Sequence, residues 1–171
     1  MKKVVLFFLT AVLCILMIVG SLLLFDRAQE PEPEDYPVTV YYVRQTEQGE
    51  RLFAATHRAD VLPGPEELFV RLSQDPPGDE DLTLIPEGTR LISSVRRQGL
   101  LELNFSPELA SGNLGSTGEE LLIWQLVNTM CSLDGVEEVR IVVGERTDLY
   151  GHISLEEPFS FREDLVIREN Q

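Results

Sequence analysis

IPEGTRLISSVRRQGLLELNFSPELASGNLGSTGEELLIWQLVNTMCSLDG, residues 85–135, is the stretch whose reading decides the fold. Its first half holds two runs of β character, Leu91 to Val95 and Leu101 to Phe105, with Gln98-Gly99 between them. That pair can supply the positive φ of a tight hairpin turn, and the period of two then places Leu101, Leu103 and Phe105 on one face. The second half changes period. Ser116 and Thr117 each stand three residues before a glutamate, Glu119 and Glu120, so either fits the N-cap of a capping box. Leu122, Leu126, Met130 and Leu133 form one stripe of the helix that follows, and Leu121, Trp124 and Val127 widen it. A hairpin with an apolar face is thus followed at once by a helix with an apolar face to cover it.

Upstream, Val38 to Val43 alternates as a first strand, a polar turn spans Gln45 to Glu50, and a second strand covers about Leu52 to Ala59. Pro63-Gly64-Pro65 then punctuates the chain. Pro65 suits the first position of a helix whose Glu66 and Glu67 complement its positive end and whose buried side is Leu68, Phe69 and Leu72. That helix stops by Pro76-Pro77-Gly78. Downstream, Val136 to Val143 reads as a strand with Val139, Ile141 and Val143 on one face; HISLEEPFSF after it has room for an edge strand that Pro158 limits. No element is assigned to residues 163–171. The order strand, strand, helix, hairpin, helix, strand predicts an α+β fold: a single small domain with two helices packed on one face of a mixed or antiparallel sheet.

The N-terminus carries an address. Val4 to Phe25 contains no charge and no proline, and its 22 residues as a helix span about 33 Å, enough for a bilayer core. An uncleaved signal anchor over residues 1–25 is the expectation, ahead of a cleaved signal peptide, because the run exceeds a signal h-region and has no clean small-x-small site beyond it. Lipid modification at Cys14 is a third option, disfavoured by Val12 and Leu13 before it. Lys2 and Lys3 place the N-terminus in the cytoplasm and the rest of the chain outside the membrane. Residues 26–37, DRAQEPEPEDYP, form a Pro/Glu-rich linker, the domain occupies 38–159, and 160–171 is a C-terminal tail. Those two lysines are the only ones in the chain. With 14 Lys plus Arg against 29 Asp plus Glu, the formal charge of −15 argues against nucleic-acid binding.

Catalytic signatures are missing. His57 lies in a strand and His152 in a C-terminal segment, each with ordinary exposed-position explanations, and no G-x-S-x-G elbow frames any serine. Gly112, Gly115 and Gly118 precede a helix N-terminus, where a phosphate could dock, but no Walker lysine follows and acidic residues occupy the first turn. The pairs Glu137-Glu138 and Glu156-Glu157 are adjacent rather than facing. Cys131, flanked on the helix by the core candidates Met130 and Leu133, reads as a buried inert thiol, and no metal spacing of Cys and His exists. No catalytic, cofactor or metal residue is therefore assigned. Arg96 and Arg97 stand out as adjacent basic residues near the hairpin tip of an acidic domain.

Four motifs in order carry a resemblance: P-E-G-T-x-L at Pro86 to Leu91, L-x-L-N-F-S at Leu101 to Ser106, G-S-T-G-E-E from Gly115, and V-x-x-V-x-I-V-V from Val136. Together, over roughly Val38 to Phe159, they resemble the sporulation and spore germination domain GerMN. The resemblance implies a non-catalytic module of Gram-positive envelope proteins, with a fold like the ring-building motifs of sporulation channel proteins and no catalytic residues to transfer. It also implies envelope or sporulation proteins as partners, with self-association as an option, and membrane attachment through residues 4–25. This chain has one copy rather than a tandem pair and lacks a good lipobox. The competing classes are a cell-envelope enzyme and a module for wall glycans or peptides; the latter expects Tyr41, Tyr42 and Trp124 to be exposed together.

Overall fold

In the computed structural model, the structure describes Met17 and residues 36–47, 49–59, 61–74 and 76–167. Apart from Met17, the expected anchor over 1–25 lies outside the described residues, as does the linker up to residue 35. Among the described residues no helix is long and apolar enough to cross a membrane.

β1 (Tyr36–Thr46) and β2 (Gly49–Ala59) form a long antiparallel hairpin, in register from Tyr36↔Ala59 to Thr46↔Gly49. Both strands run past their alternating apolar cores because the turn is only two residues long, with Gly49 at φ 100°. Val38, Val40 and Tyr42 are buried on one face, while Val43 and Leu52 join a second, smaller cluster with Leu121 and Leu165. α1 (Pro65–Gln74) is amphipathic as expected, burying Leu68, Phe69 and Leu72 and exposing Val70. A short β3 (Asp81–Leu82) pairs with β1 at Val43 and Arg44. Asp81 is buried there and accepts two hydrogen bonds from Arg44, Nε at 2.7 Å and Nη2 at 2.9 Å.

β4 (Leu91–Arg97) and β5 (Leu100–Phe105) are joined by Gln98 at φ 49° and Gly99 at φ 85°, the two positive angles of a type I′ turn. Leu101, Leu103 and Phe105 share the buried face. β6 (Glu138–Val142) pairs parallel to β5, and β7 (Phe159–Ser160) pairs antiparallel to β6. Two residues of β7 follow Pro158, the truncated edge its position predicts.

The architecture differs from one sheet with two helices on one face. The strands form two sheets, β2-β1-β3 and β4-β5-β6-β7. α2 (Ser116–Met130) is also no cover: Leu121, Leu122, Ile123, Leu126, Val127 and Met130 are buried, and so are Glu119, Gln125, Asn128 and Thr129. It contacts both sheets and α1, so beyond its first turn only Glu120 and Trp124 stay partly open, in place of a whole polar face. Its N-cap is Gly115, without a side-chain cap bond, which replaces the expected capping box at Ser116 or Thr117. The reason is Glu119, whose carboxylate is turned into the protein. Residues after Phe159 are also ordered onto the domain: Leu165 is buried and Ile167 N–H donates to Leu52 O at 2.7 Å.

Candidate functional site

Buried polar side chains on a helix need partners, and on α2 the partners are backbone groups of extended segments. Glu119 Oε1 accepts from Tyr150 N–H at 3.1 Å and Oε2 from His152 N–H at 3.0 Å. Gln125 donates from Nε2 to Leu82 O and accepts from Leu84 N–H, 3.1 and 3.0 Å. Asn128 does the same for the chain after β7, donating to Arg162 O at 3.0 Å and accepting from Arg162 N–H at 2.9 Å. Thr129 Oγ1 accepts from Tyr41 N–H, and Ser132 Oγ donates to Thr39 O. A side-chain amide or hydroxyl therefore stands where another strand would, and one helix grips four stretches of chain.

Gly112 and Gly118 serve packing. A Cβ on Gly112 would come within 2.8 Å of the Tyr150 hydroxyl, which donates to Leu109 O at 2.9 Å; Gly115 is the N-cap, and a Cβ on Gly118 would press Leu114 at 3.1 Å. Burial pushes the Tyr150 phenol up from its ordinary value. Cys131 is a free thiol just past the helix end, pushed up to about 11 chiefly by burial, so it is protonated and unreactive at neutral pH.

The residues singled out from sequence are dispersed. His57 lies in β2 opposite Val38, with its ring edge-on to Tyr42 at 6.5 Å, whereas His152 is exposed in the loop held by Glu119. Ser93 and Ser94 are on β4, where Ser94 Oγ donates to Glu66 at 2.6 Å, and Ser116 is the first residue of α2. Glu137, Glu138, Glu156 and Glu157 are all exposed. Among the described residues no group of three or more His, Cys, Asp or Glu could hold a metal. The three aromatic residues do not share a surface. Tyr42 is fully buried, Tyr41 meets Phe161 edge-on, and half-buried Trp124 donates from Nε1 to Ser160 O at 3.2 Å beneath the Arg162 guanidinium. Trp124 packs half-buried against both core clusters, as its place on the apolar side of the helix predicts, and also fastens the last strand to α2.

What the structure adds is an open groove of about 860 Å³. Its floor is apolar, with Val38, Leu101, Leu133 and Val136; Ser94 and Arg96 of β4 form one bank. Arg96 Nη2 donates to Asp134 O, and Gly135 at φ 67° leaves room for the guanidinium. Arg97, the neighbour, is exposed and makes no ion pair among the described residues. Sequence reading reached the arginines but not the groove, because its banks are distant in the chain.

The profile of the Germane family, described as sporulation and spore germination, matches residues 39–148. The chain is a Germane protein. No curated protein matches it. Among solved structures, the tandem GerMN domains of the sporulation protein GerM from Bacillus subtilis are 23% identical over 75% of this chain, with a TM-score of 0.62. The chain spans only 46% of that tandem structure. The first GerMN domain of the same protein is 10% identical over 75% of this chain and 98% of its own length, with a TM-score of 0.55. A putative lipoprotein from Clostridium perfringens is 22% identical over 77% of this chain and 90% of its own length, with a TM-score of 0.51. These likenesses are of fold: the Germane chain described here has the two-helix, two-sheet architecture of a single GerMN domain.

Proposed function

We propose that this Germane protein is a membrane-anchored, extracytoplasmic interaction module of the sporulation or germination envelope, working by contact with envelope or sporulation proteins rather than by catalysis. The observation that carries this reading is the use made of the buried polar side chains. Glu119, Gln125, Asn128 and Thr129 are each committed to backbone of their own chain. Polar groups in a reaction centre must instead face a cleft where substrate can reach them. Support for the address is the uncharged run Val4 to Phe25 behind Lys2 and Lys3.

Crosslinking the full chain in envelope membranes tests the contact reading. Substituting His57 and His152 together, or Ser93, Ser94 and Ser116 to Ala, is expected to leave partner recovery intact, whereas Arg97→Glu lowers it by opposing an acidic partner patch. Arg97 is the better probe than Arg96, which also holds the Asp134 carbonyl. Loss of a hydrolytic activity in folded histidine or serine variants would favour the envelope-enzyme class. Resistance of the chain to extraction by salt and alkali checks the anchor, and recovery of a soluble form starting near residues 21–28 refutes it.

A further inference from the structure

The register Tyr36↔Ala59 brings the two open ends of the β1-β2 hairpin together. From one of them the chain leads back toward its N-terminus, and from the other it runs into Val61-Leu62-Pro63-Gly64-Pro65. Val61 is 65% exposed and Leu62 73%, the highest values for large apolar side chains among the described residues from Tyr36 onward. The loop that carries them is nevertheless fixed. Pro63 is buried, and Gly64 O accepts the Leu68 N–H at 3.2 Å in the first turn of α1, so the two apolar side chains are held outward. Neighbouring apolar residues exposed on a pinned loop are a contact surface, unlike single ones scattered over a protein. Leu62 and Tyr36 also line the apolar groove.

We propose that this loop and the adjoining rim of the groove seat in the interface of the lipid bilayer that holds the chain; the inference rests on the anchor in the reading above. What selects a lipid surface is the place where the described domain begins. Residues 26–35, ten in all, separate Tyr36 from the apolar run that ends at Phe25, and fully extended they reach at most about 36 Å. The apolar loop thus emerges beside the attachment point of the domain's own tether. Two apolar side chains bind a membrane only weakly, but a short tether holds them near it at an effective concentration on the order of mM, so weak contact is enough. Val61 and Leu62 enter the acyl boundary, and the amphipathic Tyr36 ring suits head-group depth. Charge fixes the lipid class. Arg96 and Asp134 both line the groove, the chain as a whole carries −15, and Glu66 next to the loop is turned to Ser94 Oγ at 2.6 Å. A zwitterionic head group matches a lining of mixed sign, whereas an anionic surface repels the domain.

The experiment reconstitutes the full chain in phosphatidylcholine vesicles whose brominated acyl chains act as the quencher. Leu62→Trp places a reporter on the loop at an exposed position with room for a larger apolar side chain, and Trp124 of the wild-type chain supplies the background. Expected is a loss of emission from Leu62→Trp well beyond that background, relieved when Val61→Asp is added. Lengthening residues 26–35 fourfold with Gly-Ser repeats lowers the effective concentration about eightfold, by the −3/2 power of length, and should reduce the quenching with it. Replacing part of the phosphatidylcholine with phosphatidylglycerol should weaken the quenching too. Hydrogen exchange at Val61, Leu62 and Gly64, slower with the native tether than with the lengthened one, carries the same test without a loop variant. A chain that stays with the vesicles through flotation and alkali but leaves Leu62→Trp unquenched overturns the seating while the anchor stands. A chain that does not float with them overturns the anchor, and the seating with it. Protection of the loop that rises with the protein-to-lipid ratio overturns the proposal in favour of a second copy, and protection found only in native envelope membranes does so in favour of a protein partner.

Discussion

The two helices differ in what surrounds them. α1 follows the ordinary rule: acidic residues in the first turn, Arg71 in the last, three buried apolar residues on one side, and Val70 48% exposed on the other. α2 breaks the rule, because ten of its fifteen residues are buried and four of those are polar. A helix with one neighbour shows a stripe; a helix enclosed by two sheets, another helix and a returning tail meets backbone edges as well as side chains. Backbone edges call for amides, hydroxyls and carboxylates. Buried polarity on α2 is thus the mark of a frame, and its loss should be felt in the segments it grips.

The largest expected effect is Glu119→Ala. Two hydrogen bonds to a charged group are removed at once, each worth about 1.5–3 kcal/mol, and the Tyr150 to His152 stretch should become the first site of limited proteolysis. Unaltered urea midpoints and protection of that loop would break the comparison. Leu126→Ala on α2 and Leu72→Ala on α1 should each cost about 2–5 kcal/mol, since both side chains are fully buried and the apolar contribution does not distinguish the helices.

Polar truncations should separate them. Asn128→Ala loses both bonds to Arg162 and is expected to cost about 1–3 kcal/mol, and Trp124→Ala should add to the release of the tail. Hydrogen exchange at Ser160 to Ile167 reads this directly. On α1, Glu67→Ala breaks only a partly exposed i,i+4 pair with Arg71 and should change stability by about 0.3–0.5 kcal/mol. Equal penalties for Asn128→Ala and Glu67→Ala would refute the difference drawn here.

A titration sharpens the picture at the C-terminal end of α2. Burial holds the Cys131 thiol at about 11 against 9.0 when free, so the folded state binds its proton more tightly than the unfolded state. Its contribution is complete below about pH 9 and is lost as the pH rises toward about 11. Urea midpoints should fall across that window, and Cys131→Ala should flatten part of the fall. Tyr41 and Tyr150, raised in the same direction by burial, account for part of what remains.

Sequence alone determined the elements whose cause is local. The hairpin at Gln98-Gly99 follows from two residues that tolerate positive φ, α1 from proline, acidic residues and one apolar face, and the short β7 from Pro158. The family was also legible, because its motifs lie in consecutive elements. Tertiary structure decided what depends on neighbours distant in the chain. Glu119 reads as half of a capping box until Tyr150 and His152 come within reach, and Gln125 and Asn128 read as the polar side of a surface helix until Leu82 and Arg162 arrive. The groove shows the same limit: Val38, Leu101 and Val136 each belong to a separate run, and only folding brings them to one lining. Periodicity records which side of an element is buried, whereas the partner of a polar group and the pairing of an edge are properties of two segments at once.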